Sequence, residues 1–255
     1  MDIETTELTP IDLDTELDAL ARRYSEAGGV GIQVLNMIGG RAEGLLDRLP
    51  RSVRNNLDGA TEAALRAAMR AAQSSRGMVG DQPGWLNTAV TTAMGAAGGF
   101  GGLPSAMAEL PVTTTVLLRA IQGVAAEHGF DPAEANVQFD CITVLASAGP
   151  LEADDGSDLA FVATRLTLTG ATLNGLIARV APRLATVLGQ KLAAQTVPVL
   201  GAVAGAATNY AYTSYYQEMA HVHFRLRRLA IEADRPQAEL LEELRTRVTP
   251  RLARV

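Results

Sequence analysis

The sequence predicts an all-α protein, a single multi-helix, bundle-like domain with Gly/Ala-rich central helices. Hydrophobic residues make up 47% of the 255-residue chain but aromatics only 4%, so the apolar content is mostly Ala, Leu and Val. With 24 glycines among them, the interior has to be built from closely approaching backbones rather than large rings. Helix start and stop signals recur along the chain, and strand alternation does not.

The first helix is expected after Thr9-Pro10, with Leu13, Leu17 and Leu20 on one face and a stop at Gly28-Gly29. A short apolar piece, 30–38, ends at Gly39-Gly40. Asp58 or Thr61 is expected to start an Ala-rich helix reaching about Ser75, with Glu62 and Arg66 paired one turn apart. Residues 77–84 read as a linker. Residues 82–108 carry no charge, and Gly95, Gly98, Gly99, Gly101 and Gly102 leave their local structure open.

Pro111 is expected to open a helix over 112–128, closed by Gly129. Asp131-Pro132-Ala133-Glu134 reads as a capping box with Pro at the first helical position, its helix running to about Ala148. An acidic solvated loop covers 152–158, and two or three helices follow, interrupted near Pro182 and Pro198. The longest runs from 199 to about 233 and breaks at Asp234-Arg235-Pro236. A last amphipathic helix carries Leu240, Leu241, Leu244 and Val248. The expected organisation is an N-terminal helical region, 1–76, packed on a core, 85–232, with a C-terminal amphipathic helix over 236–255.

Charge and cysteine usage narrow the function classes. Cys141 is the only cysteine, which excludes an intramolecular disulfide and suits the cytosol. The first fifteen residues are acidic, without the positive start of a signal peptide. A net charge of -6 argues against a nucleic-acid partner. The uncharged runs 82–108 and 192–217 reach bilayer length, ~20 residues, but prolines, clustered glycines and polar side chains interrupt them. Both read as buried core helices. Any membrane association is expected to be peripheral, at the inner face. Gly201 and Gly205 form a small-xxx-small pair that admits a second helix at close range.

Several segments together are similar to one known family. Gly98-Gly99 to Gly102, Ala108-Glu109-Leu110-Pro111, Leu118-Arg119-Ala120-Ile121 and His128-Gly129-Phe130 begin the match, which continues through 141–149 and Arg165. It is closest over 191–202, from Lys191-Leu192-Ala193-Ala194-Gln195 onward, and through Gly205 and Asn209. It ends with Gln217, Met219-Ala220, His223-Phe224 and Arg227-Arg228-Leu229. Over 85–232 the chain resembles the EcsC protein family. Where that family is expected to carry His-Phe, this chain has Tyr215-Tyr216. The resemblance implies a helical protein without an assigned activity, in the context of an operon for an ABC transporter.

Few constellations carry chemistry. Glu218-Met219-Ala220-His221 has the Glu-x-x-His spacing of bundle di-metal sites, but such a site needs two of these motifs and the chain has one. His221 and His223, two apart, point to nearly opposite faces of a helix. No metal site and no cofactor is expected. No nucleophile elbow occurs, Cys141 sits in an apolar helix, and the Gly95–Gly102 glycines lack the Lys-Ser/Thr of a phosphate loop. No catalytic residue is assigned.

One stripe stands out. Asn209, Thr213, Tyr216, Ala220, His223 and Arg227 follow at spacings of 4, 3, 4, 3 and 4 on the longest helix. The stripe is either an interhelical seam or the wall of a cleft. Asn209 is expected in the seam, and His223 and Arg227 in the cleft. Glu109, Arg119, Arg165 and Lys191 are charges in apolar surroundings, and if buried they must find partners on other helices. Glu109, just before Pro111, is expected at a helix start. These residues, with Asn209, Tyr216, His223 and Arg227, are the candidate ligand-binding set. The function expected is a non-enzymatic module at the cytoplasmic membrane face, binding a lipid, an apolar ligand or a membrane-protein partner. The alternative is a hydrolase built around Glu109 and the Asn209–His223 face.

Overall fold

The computed structural model describes residues 12–29, 44, 46–76, 84–100, 102–147, 173–195 and 201–252. Among them every regular element is a helix and none is a strand. The expectations for 30–38 and 152–158, for Pro198 and for Arg165 lie outside the described residues.

Helix α1 spans Leu13–Ala27. Asp12 caps it, its Oδ1 accepting from the Thr15 N–H at 3.2 Å, and Leu17, Leu20, Ala21 and Tyr24 turn inward. After a single 3-10 turn at Leu46–Arg48, α2 spans Arg51–Arg76. It starts at Pro50 rather than at Asp58 or Thr61. The Pro50 carbonyl accepts from the Val53 and Arg54 amides at 3.0 and 3.1 Å, and Leu49, Leu57 and Leu65 carry the buried face back to that start. The Glu62–Arg66 pair forms at 2.7 Å.

The described residues of the uncharged run that local pattern left open are helical. They form α3, Gly84–Phe100, and the first part of α4, Gly102–Glu127. Pro111 therefore does not open a helix but lies inside one. A proline there removes one ladder bond, to the carbonyl four residues back. Here that residue is Met107, 41% exposed, so water can take the freed acceptor. Gly129 closes α4 at φ 79°, with the Phe130 amide reaching back to the Ala125 carbonyl at 3.0 Å, as in a Schellman end.

Helix α5 is Ala135–Leu145. It starts three residues later than the capping-box reading placed it, because Asp131 Oδ1 accepts from the Ala133 amide at 2.8 Å and holds a turn instead. Helix α6, Leu173–Gln195, passes Pro182 without interruption; the proline faces solvent. Helix α7, Gly201–Glu232, is the longest. It ends where Asp234 takes a φ of 51°, and α8, Gln237–Leu252, buries Leu240, Leu241, Leu244 and Val248.

Helix α7 is the spine. Helix α3 runs antiparallel along it, Gly95 facing Gly205, Thr91 facing Asn209 and Gly84 facing Gln217. Helix α4 lies beside both, and α6 closes the opposite side through Lys191 and the Val187 carbonyl. Helix α1 crosses α7 and α8, tied by the Arg23–Glu218, Arg225–Glu16 and Arg247–Asp14 pairs. Among the described residues no helix is long and apolar enough to cross a membrane.

Candidate functional site

The structure brings Glu109, Lys191 and Asn209 together in the centre of the bundle. Glu109 stands inside α4, not at a helix start, and its partners are side chains. Its Oε1 accepts from Lys191 Nζ at 3.1 Å, from Asn209 Nδ2 at 2.7 Å and from Thr113 Oγ1 at 2.7 Å. Asn209 Nδ2 also donates to the Thr91 carbonyl at 2.7 Å. The Thr91 and Thr213 hydroxyls meet at 2.6 Å. Lys191 and Asn209 are fully buried, and Glu109 is 8% exposed. Burial alone would raise the Glu109 carboxyl. The Lys191 charge, with the bonds from Asn209 and Thr113, overrides it and holds the group below its ordinary value. Burial pushes the Lys191 amine down, against the pull of Glu109. Glu109 Oε2 and Asn209 Oδ1 are buried without a hydrogen-bond partner.

The lower part of the stripe forms a second buried cluster. Asp140 on α5 is fully buried. Its Oδ2 accepts from Arg227 Nη1 at 2.6 Å, and its Oδ1 is 3.3 Å from His223 Nε2. Arg227 also stacks over the Phe130 ring, 4.3 Å from the centroid. His223 is 2% exposed, so it packs against Asp140 rather than lining a cleft. Between the clusters, the Tyr216 hydroxyl points to the Ser147 carbonyl at 3.5 Å. Arg119 is half-buried on α4.

The open site is on the neighbouring face of α7. A groove of about 850 Å³ lies between α3, α4 and α7, within the ~300–1,000 Å³ range of small-molecule sites. Its walls include Ala93 and Ala96 from α3, Ala120 and Gly123 from α4, and Ala206 and Tyr210 from α7. All but Tyr210 are small, because α3 and α7 approach at backbone distance along the next face, where a Cβ on Gly95 would sit 2.2 Å from the Gly205 carbonyl oxygen. Small side chains are needed for that contact, and beside it they leave space unfilled.

One end of the groove is polar. Trp85, Glu127, Gln217, Glu218 and His221 line it. Gln217 ties α7 to the start of α3, its Nε2 donating to the Gly84 carbonyl at 2.9 Å and its Oε1 accepting from Thr88 at 3.1 Å. Glu218 is held by Arg23 of α1. His221 Nδ1 lies 3.1 Å from His128 Nε2, the rings edge to face at 5.4 Å. Burial, then the nearby arginines, pushes His221 down to about 4 and lowers His128 as well. Both rings are neutral near pH 7. No cluster of three or more metal-ligating side chains occurs among the described residues.

Most of the groove was not read from the sequence. A second stripe on α7, Ala206, Tyr210, Ser214, Gln217 and His221 at spacings of 4, 4, 3 and 4, was the available signal. It is more apolar than the Asn209 stripe and does not draw the eye. Asp140 and the His128–His221 contact carried no local signal, since each joins residues from helices far apart in the chain.

The model of the EcsC protein family matches residues 45–229. The match starts at 45 rather than at 85, so it takes in α2 as well as the helices around the groove. No curated protein and no solved structure matches the chain.

Proposed function

The chain belongs to the EcsC protein family, and we propose that it is a non-enzymatic binding module for the apolar chain of an amphiphile. The observation that carries this reading is the groove between α3, α4 and α7, about 850 Å³, with small apolar walls and one polar end. Trp85 and Tyr210 stand on it 71% and 47% exposed. These are the ring types favoured where an apolar phase meets water. A module at a membrane face would take such a ligand from the bilayer or pass it to a membrane-protein partner. A small-walled groove of this volume suits a chain better than a protein surface.

The single tryptophan makes the test direct. Titration with a long-chain alcohol should shift Trp85 emission to the blue. Gly123→Leu should abolish the shift. A Cβ on Gly123 meets nothing within 4 Å, so the new side chain fills the groove without forcing the helices apart. An unshifted emission in the original chain, with no bound chain seen by native mass spectrometry, would overturn the reading.

The hydrolytic alternative has one observation in its favour, the unpaired Glu109 Oε2 and Asn209 Oδ1. Against it, Glu109 is neutralised by Lys191, and neither Glu109 nor Asn209 lines the groove. A substrate would have to part α3 from α7 to reach them.

A further inference from the structure

We propose that the groove is selective for cationic amphiphiles, a single apolar chain carrying an amine or ammonium head group, with the head seated between Glu127 and Glu218. The inference rests on reading the groove as a chain-binding site and adds the sign of the ligand's charge.

Charge distribution supplies the argument. Among the residues lining the groove, Glu127 and Glu218 are the only charged ones. Helix α3 contributes no charged residue at all. Both glutamates lie at the polar end, on α4 and α7, facing the start of α3 where Trp85 stands.

The basic residues nearby are already engaged. Arg23 pairs with Glu218. Arg225 pairs with Glu16 at 3.1 Å and Glu232 at 2.9 Å. Glu127 has no lysine or arginine at ion-pair distance among the described residues. It meets His221 Nε2 at 3.9 Å, its own side chain 55% exposed. His221 is uncharged there, because burial, then Arg23 and His128, keep its proton off. A net negative charge therefore remains at the head end.

A carboxylate or phosphate head entering this end would face two carboxylates and, among the described residues, no free cation. An ammonium would gain the Glu127 charge and the Trp85 ring face, the preferred ring for a cation. The small-residue walls are indifferent to the head and hold the chain alone.

The test uses the full chain and three probes of equal length at pH 7.5, each below its micelle threshold: dodecylamine, dodecanol and dodecanoate. Calorimetry and Trp85 emission give the affinities. Dodecylamine should bind about tenfold more tightly than dodecanol, ~1.4 kcal/mol, and dodecanoate more weakly than either. Added salt should shrink the amine preference and leave dodecanol unchanged. Glu127→Gln should remove most of the preference, bringing dodecylamine close to dodecanol. Equal affinities, or a preference for dodecanoate, would overturn the charge selectivity and leave the chain-binding reading standing. Binding of none of the three, or binding undiminished in Gly123→Leu, would overturn both.

Discussion

Gly95 on α3 stands against Gly205 on α7 at a distance no side chain permits. A Cβ on Gly95 would lie 2.2 Å from the Gly205 carbonyl oxygen and 2.7 Å from Asn209 Nδ2. Neither neighbour can yield, the first because it is backbone and the second because it is bonded to Thr91 and Glu109. Gly95→Ala should therefore cost ~1–3 kcal/mol by overpacking, and Gly205→Leu at least as much. Gly59 is the control, since a Cβ there meets nothing within 4 Å. In mid-helix, Gly59→Ala should stabilise by ~0.5–1 kcal/mol. Thermal midpoints moving the same way for Gly95→Ala and Gly59→Ala would show that the helices do not touch there.

The Glu109–Lys191 pair gives a prediction with a sign. Removing one partner of a buried pair leaves an uncompensated charge and costs ~3–5 kcal/mol, whereas replacing both with apolar groups of similar size can be neutral. Lys191→Met should therefore destabilise more than Glu109→Leu combined with Lys191→Met. Urea unfolding of the single and double variants checks this, and a double variant weaker than the single one would refute it.

Asn209 and His223 should separate for a related reason. Asn209→Leu leaves the Thr91 carbonyl and Glu109 without their amide donor, a loss of ~1–3 kcal/mol. His223→Leu leaves Asp140 still held by Arg227 at 2.6 Å and should cost less. Asp140→Leu strands Arg227 and His223 together and should cost the most of the three. The order of the three unfolding midpoints decides the point.

Stability should fall as the pH drops below the ordinary histidine range. His221 is pushed down to about 4 from 6.5, and His128 is also lowered. Both bind protons more readily when unfolded. Their contribution is full above about pH 6.5 and is lost as the pH falls toward 4. Around the pair, Arg23 on α1 and Arg225 on α7 oppose protonation, while Glu218 and Glu232 favour it. The thermal midpoint should drop by a few °C between pH 7 and 5, at ~2–4 °C per kcal/mol. His221→Gln should flatten that drop, and an unchanged slope would remove the histidines as its cause.

The helix content, the break before Pro236 and the inward face of the last helix were legible in the residues, because those signals are local. Spacing alone places Leu240, Leu241, Leu244 and Val248 on one side, and Gly129 closes its helix through its own backbone. Gly205 announced a close helix contact in the same way. The start of α4 and the passage through Pro182 were not legible. A proline's local preference is to start or stop a helix, and only the outward placement of Pro111 and Pro182 lets each helix run through it.

The site divides along the same line. Composition determined that the interior would be small-walled and that buried charges would need partners on other helices. It could not say which partner. Glu109 finds Asn209 and Lys191, and His223 finds Asp140, across separations of tens of residues that no periodicity records. Nor could it say which face of α7 stays open. The polar stripe at Asn209 is the one that α3, α4 and α6 seal, since unpaired polar groups are the costliest to leave dry and the helices close over them with hydrogen bonds. The blander Ala206–His221 face is left open, because the close approach of Gly95 to Gly205 fixes the helix spacing and alanines alone cannot fill what remains.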